Sequence, residues 1–203
     1  MICGLTAAGD EVRVPFTDFA AYVLAQDHDA PLYLFNDEWG GAARALLSDF
    51  DPPAWAEDLL SHAPAHLRPP YRWLLVGPKR SGTLPHVDPL GTCAWNALIS
   101  GEKLWVLWEP SDASVAGLVH DGAWSGVPTV CFQRLLEASE AGACALPRVF
   151  VQRPGDVVFV PAGWSHGVLN LSDTIAITEN FVPSSKLAAA IAITRERRPR
   201  LGI

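Results

Sequence analysis

The rhythm of hydrophobic and polar positions changes near residue 70. Before that point the pattern is mixed. Phe19, Ala20, Val23 and Leu24 fall at helical spacing behind Thr17, a capping residue type, and predict a helix over 17–26. Residues 31–35 (Pro-Leu-Tyr-Leu-Phe) read as a short strand, and 54–62 as one or two helical turns ended by Pro64. From Tyr71 onward, short apolar runs alternate with Gly, Pro and Asp turns, predicting strands at 72–76, 93–100, 103–108, 149–152, 157–160, 165–171 and 174–181. The Gly101-Glu102 pair predicts a hairpin between the second and third of these. Segment 111–148 interrupts the series, with helical character at 128–138, and 184–198 reads as a terminal helix carrying Arg195, Arg197 and Arg198, with Arg200 beyond it. Short strands and turns at this spacing predict a mainly β fold with flanking helices, an antiparallel sandwich or barrel.

Composition agrees. Of 203 residues, 49% are hydrophobic and 18% charged, against about 25% charged in an average soluble domain, so the chain has the makings of a packed core. Eight Trp, one Met, 16 Gly and 17 Pro suit a turn-rich β protein better than a helical bundle. The net charge of −7 argues against non-specific binding to a phosphate backbone. Cys3, Cys93, Cys131 and Cys144 form no CxxC, which fits a reducing, intracellular compartment, with Cys93 and Cys131 read as small buried apolar groups. Neither a signal-peptide pattern nor a membrane-spanning run is present. A GxGxxG turn and a phosphate-binding GxxxxGK[ST] loop are also lacking, and Ser81 and Ser125 sit in no GxSxG elbow.

The strongest local chemical signal is His86-Val-Asp88. On a strand, positions i and i+2 point to one face, so an imidazole and a carboxylate would project together. With His166, 80 residues on, they could form the two-histidine, one-carboxylate face that holds Fe(II) and leaves adjacent coordination positions open. Taken alone, such a pattern also arises by chance. Lys103, Trp105 and Leu107 share a strand face. If that face is inward, the lysine needs an anionic partner; otherwise it is a rim lysine reaching back to water. Asn96, and Thr178 with Asn180 beside Ala176, place polar groups within apolar strands. They either line a polar pocket or meet solvent. His28, His62, His66 and His120 read as surface residues.

The ordered stretches Gly77-Pro-Lys-Arg-Ser-Gly-Thr83, His86-Val-Asp88-Pro-Leu-Gly-Thr-Cys-Ala-Trp-Asn96, Gly101-Glu-Lys103 and Pro154-Gly-Asp…Gly163-Trp-Ser-His166…Thr174-Ile-Ala-Ile-Thr-Glu-Asn180-Phe resemble the JmjC oxygenases, especially those acting as lysyl-hydroxylases and arginine demethylases. The likeness is dense over 69–108 and 152–181 and thin over 111–148. It implies a double-stranded β-helix, a cupin-like jelly roll, spanning 69–182 with an insertion at 111–148. An N-terminal helix and strand segment at 1–68 would pack on the barrel, and 183–203 would form a helix and basic tail. It implies Fe(II) held by His86, Asp88 and His166, with 2-oxoglutarate and O2 as cosubstrates. Lys103 would pair with the far carboxylate of 2-oxoglutarate, Thr83 and Tyr33 would donate hydrogen bonds to it, and Asn96, Thr178 and Asn180 would line the same pocket. The implied activity is hydroxylation of protein side chains, lysyl 5-hydroxylation foremost, with demethylation of histone or arginine N-methyl groups as a variant. The implied partner is a lysine- or arginine-rich protein, such as a splicing factor or histone, in the nucleus. RNA is a weaker candidate partner, and a catalytically silent cupin binding basic peptides or RNA is the alternative. The relative that the chain resembles most continues past the equivalent of Phe181 into helices that dimerise. Here the chain stops at Ile203, so a truncated end is one reading and homodimerisation stays open.

Overall fold

The computed structural model describes residues 2–5, 11–64, 66, 68–110 and 126–197. Among these, eleven strands form two antiparallel sheets. They are β1 (Ile2–Leu5), β2 (Glu11–Val14), β3 (Tyr33–Asn36), β4 (Arg72–Gly77), β5 (Gly82–Val87), β6 (Cys93–Ser100), β7 (Lys103–Trp108), β8 (Arg148–Gln152), β9 (Val157–Val160), β10 (Ser165–Asn170) and β11 (Thr174–Phe181). One sheet has the order β2-β1-β3-β4-β11-β6-β9, the other β5-β10-β7-β8. Strands β4 to β11 divide four and four between the sheets, and each step along the chain except β7 to β8 crosses from one sheet to the other. That is a double-stranded β-helix, as the family resemblance implied. Strands β1–β3 extend the larger sheet.

The crossing corrects one expectation. The Gly101-Glu102 turn does not close a hairpin, because β6 pairs with β11 and β9 while β7 pairs with β10 and β8. The turn instead carries the chain between sheets. Gly101 has φ +85°, and a Cβ there would lie 2.1 Å from the Asp173 carbonyl oxygen, so only glycine lets this turn pack against the β10–β11 turn. The physical clue was burial: β6 and β7 are covered on both faces over most of their length, unlike an open hairpin.

Strand parity on β7 works as expected. Trp105 and Leu107 face the space between the sheets and pack with Ala94, Val158, Val160 and Val168. Val106 and Trp108 face the other way, under helix α2 (Pro128–Glu140), whose Cys131, Phe132 and Leu135 cover them. Each such fully buried large side chain contributes roughly 1.5–3 kcal/mol. The predicted helix at 128–138 is therefore the outer cover of the smaller sheet. Residues 111–125 of the same segment lie outside the described residues.

Two local readings change. Helix α1 (Phe16–Ala25) opens after Pro15, whose φ of −58° suits a helix entry, and Thr17 lies inside its first turn, so Thr17 does not cap it. Of the expected apolar stripe only Phe19 is buried, and Leu24 is 87% exposed. The region 54–62 yields a 3-10 turn at Leu59–His62, where the Asp58 carboxylate accepts from the Leu60 amide at 2.9 Å. The terminal helix α3 spans Leu187–Arg197; Arg198 and Arg200 lie outside the described residues. Cys93 and Cys131 are buried free thiols and His28, His62 and His66 are exposed, as expected; Cys144 is a buried free thiol too, and His120 is outside the described residues. Among the described residues no helix is long and apolar enough to cross a membrane.

Candidate active site

The space between the sheets holds a cavity of about 330 Å³. Two neighbouring strands of the smaller sheet bring its histidines together. In the β5–β10 pairing, His86 and His166 are directly opposed, with ring centroids 4.3 Å apart. Asp88 follows the end of β5, immediately before a short 3-10 turn. One donor atom from each of the three residues lies within 4.8 Å of the others. The expected convergence of His86, Asp88 and His166 is therefore present, although Asp88 reaches it from just beyond the strand.

Each imidazole is oriented by a backbone carbonyl. His86 Nδ1 lies 2.9 Å from the Leu84 oxygen, and His166 Nδ1 3.3 Å from the Trp164 oxygen. A carbonyl can only accept, so Nδ1 donates in both rings, and Nε2 is the nitrogen left to face a metal. Burial, and secondly the neighbouring His86, push the His166 imidazolium down to about 4, which keeps that ring neutral at physiological pH. Trp105 lies parallel to His166 at a centroid distance of 6.1 Å and walls the site on that side.

The inward reading of Lys103 holds. It is fully buried, and Nζ donates to the Tyr33 hydroxyl at 2.7 Å and to Asn170 Oδ1 at 2.8 Å. Burial drives its ammonium down to about 7, and burial raises the Tyr33 phenol well above its ordinary range. Tyr33 lines the cavity, whereas Lys103 stands behind it. The hydroxyl that accepts from the ammonium keeps its own proton to donate.

The remaining expected residues also gather here. Thr83, Asn96, Thr178 and Asn180 all line the cavity. Thr178 donates to the Trp95 carbonyl at 2.8 Å, and Asn180 Nδ2 donates to Thr92 Oγ1 at 2.9 Å. Six buried side-chain polar atoms lack a hydrogen-bond partner among the described residues, and three of them, Thr83 Oγ1, Asp88 Oδ2 and Asn96 Oδ1, belong to residues of this one cavity. Unsatisfied buried groups are costly and rare. Concentrated here, beside a buried lysine, they fit a metal ion and an anionic, oxygen-rich ligand.

Sequence reasoning missed several residues. Asn170 and Ser81 support Lys103, and Asn170 could have been found by the parity argument applied to Asn96, since it is a polar residue in an apolar strand. Glu11 and Asp37, with Phe35 and Trp73, line the more exposed part of the cavity. No local pattern marks them, because β2 and the segment after β3 join the site only through sheet pairing.

The JmjC domain, hydroxylase, family matches residues 73–181. The chain belongs to the JmjC hydroxylase family. The bifunctional arginine demethylase and lysyl-hydroxylase psr-1 of Caenorhabditis elegans is 35% identical over 210 residues, covering 98% of this chain and 52% of that protein. The lysine-specific demethylase JMJ21 of Arabidopsis thaliana is 37% identical over 185 residues, covering 85% of this chain and 19% of that protein. The 2-oxoglutarate and iron-dependent oxygenase JMJD4 of Danio rerio is 35% identical over 118 residues, 58% of this chain and 28% of that one. The chain thus spans about half or less of these relatives.

Proposed function

We propose that this chain is the catalytic domain of an Fe(II)- and 2-oxoglutarate-dependent oxygenase that hydroxylates protein side chains. The observation that carries this reading is the His86–Asp88–His166 cluster opening onto a cavity whose polar groups are left unpaired. JmjC membership favours it over a silent binding module.

When bound together, Fe(II) and 2-oxoglutarate supply oxidative chemistry that turns O2 and 2-oxoglutarate into succinate, carbon dioxide and a hydroxylated substrate carbon. The protein's residues bind, orient and shield. His86 and His166 present their Nε2 atoms to the ion, with each ring's orientation fixed by the Leu84 and Trp164 carbonyls. Asp88 adds the negative charge a divalent ion needs. Lys103 supplies the positive field for the cosubstrate's far carboxylate, and the Tyr33 and Thr83 hydroxyls donate to it. Asn96, Thr178 and Asn180 fill the polar wall, while Trp105 and Val168 keep water out.

The substrate reading rests on the rim. Glu11 and Asp37 beside Phe35 and Trp73 suit a cationic side chain, because carboxylates attract it and aromatic faces stabilise it. This supports a lysine- or arginine-rich protein partner, with lysyl hydroxylation the principal outcome. Hydroxylation of an N-methyl group would give a hemiaminal that releases formaldehyde, which is demethylation.

The test is succinate formation from 2-oxoglutarate under air, with Fe(II), ascorbate and a panel of basic peptides. Iron-dependent succinate that rises with a peptide and disappears in His166→Ala is the expected result. Folded, iron-loaded protein that forms none with any peptide would refute the reading.

A further inference from the structure

Lys103 sits in a frame of neutral side chains. Its two cross-strand partners are amides, Gln152 on β8 and Asn170 on β10. Gln152 is committed elsewhere: Oε1 accepts from Trp105 Nε1 at 2.8 Å, and Nε2 donates to the carbonyls of Asn96 and Asp156. Asn170 is the amide that meets the ammonium, with Oδ1 2.8 Å from Nζ. Among the described residues, no carboxylate bonds Lys103.

The Asn170 amide is locked in this orientation. Its Nδ2 donates to Ser81 Oγ at 2.8 Å, and Ser81 Oγ donates onward to the Pro78 carbonyl at 2.6 Å. A hydroxyl that spends its proton on a carbonyl can only accept from Asn170, so the NH2 end must face Ser81 and the oxygen must face the lysine. The backbones are clamped as well: Asn170 N donates to Ser81 O at 2.8 Å, and Arg80 N donates to Asn170 O at 2.9 Å. Gly77 leaves the required space. A Cβ there would lie 2.1 Å from Asn170 Nδ2 and 2.7 Å from Ser81 Oγ. Ser81 and Asn170 are 0% and 1% exposed, so none of this is a surface contact.

Building on the oxygenase reading of the cavity, we propose that Asn170, held by Ser81 and given room by Gly77, is a positioning residue that aims Lys103 while leaving its charge uncompensated, and that this neutrality is what makes the pocket select a carboxylate-bearing cosubstrate. The physical argument is one of competition. An aspartate at 170 has nearly the same shape, and it would sit at ion-pairing distance in a low-dielectric interior. It would satisfy the lysine internally and repel an incoming carboxylate. An amide gives the same geometric support without a charge. The ammonium, lowered to about 7 by burial with no carboxylate raising it again, shows the unmet demand.

Calorimetric titration of 2-oxoglutarate into the Mn(II)-loaded protein without O2 tests this in wild type, Asn170→Asp and Ser81→Ala. In parallel, 13C NMR of lysine-labelled, metal-free protein reads the Lys103 charge state. Asn170→Asp should weaken 2-oxoglutarate binding by about a hundredfold. It should also move the Lys103 titration upward and leave the folded circular-dichroism spectrum intact, a combination that a purely structural role does not give. Ser81→Ala frees the amide to turn its NH2 toward the lysine, and should weaken binding by about tenfold. Unchanged affinity in folded Asn170→Asp overturns the proposal; if that variant does not fold, unchanged affinity in Ser81→Ala does so. A wild-type holoprotein that binds no 2-oxoglutarate overturns the oxygenase reading instead. The NMR arm stands apart from that result: a Lys103 titration unmoved by an acid at 170 sinks the charge frame itself.

Discussion

Burying Lys103 without a counter-charge should make the unliganded protein less stable near neutral pH than in mild base. Lysine ordinarily titrates at 10.5, and burial brings Lys103 to about 7. Between those values the unfolded chain holds a proton that the folded protein does not. Folding is therefore opposed most strongly at and below pH 7, and the opposition is relieved as pH rises toward 10.5. With these two values the cost is about 4 kcal/mol at pH 7 and about 1 kcal/mol at pH 10. Urea unfolding of wild type and Lys103→Met at half-unit steps from pH 7 to 10 isolates this contribution, because other groups titrating in that range are common to both proteins. The wild-type free energy of unfolding should rise by about 3 kcal/mol more than that of the variant. Saturating 2-oxoglutarate on the Mn(II)-loaded wild type should remove the extra rise, since a bound carboxylate keeps the lysine charged. Parallel pH profiles for the two unliganded proteins would refute the reasoning. They would mean that Lys103 stays protonated through contacts with Tyr33 and Asn170 alone, and that it does not demand an external anion.

Other consequences follow from the same geometry. Asp37→Asn should raise the KM for a basic peptide several-fold while leaving the KM for 2-oxoglutarate unchanged; equal effects on both would remove Asp37 from substrate recognition. Gly77→Ala drives a methyl group into Asn170, Ser81 and Tyr33, and should cost about 1–3 kcal/mol of stability and weaken 2-oxoglutarate binding, as read by thermal melting and calorimetry. Arg72 donates to the buried Glu179 carboxylate at 2.7 Å, so Arg72→Ala leaves that charge unpaired and should destabilise the fold by about 3–5 kcal/mol in urea titrations. Between pH 6.5 and about 4, unfolded His166 takes up a proton that the native ring refuses. Wild-type stability should therefore fall with acid across that window more steeply than that of His166→Phe, by circular dichroism.

Much of the site was legible because its signals are local. Strand parity depends only on the alternation of side chains along an extended chain. It put Lys103 with Trp105 and Leu107 on one shared face, and Thr178 with Asn180 on another, before any partner strand was known; packing then turned both faces toward the cavity side. Parity also linked His86 to Asp88, although Asp88 lies just past the strand end. The readings that failed are ones in which a local pattern has two tertiary outcomes. Gly101-Glu102 suits a hairpin and a crossing turn equally well, and packing against Asp173 decides between them. Thr17 is a good cap type, but the chain entering from Pro15 starts the helix one residue earlier.

The mainly β class, most strand positions, the family resemblance and part of the pocket's polar lining could be read from the amino-acid chain alone. These follow from side-chain alternation, turn chemistry and long ordered motifs carried on the chain itself. Which strands share a sheet came from three-dimensional packing, because hydrogen-bond pairing between distant segments has no local trace. It opposed His86 to His166 across 80 residues, set Tyr33 in front of Lys103, and drew Glu11 and Asp37 to the cavity rim. It also left Lys103 among amides rather than acids, since a side chain's electrostatic surroundings are made by the residues that packing brings to it.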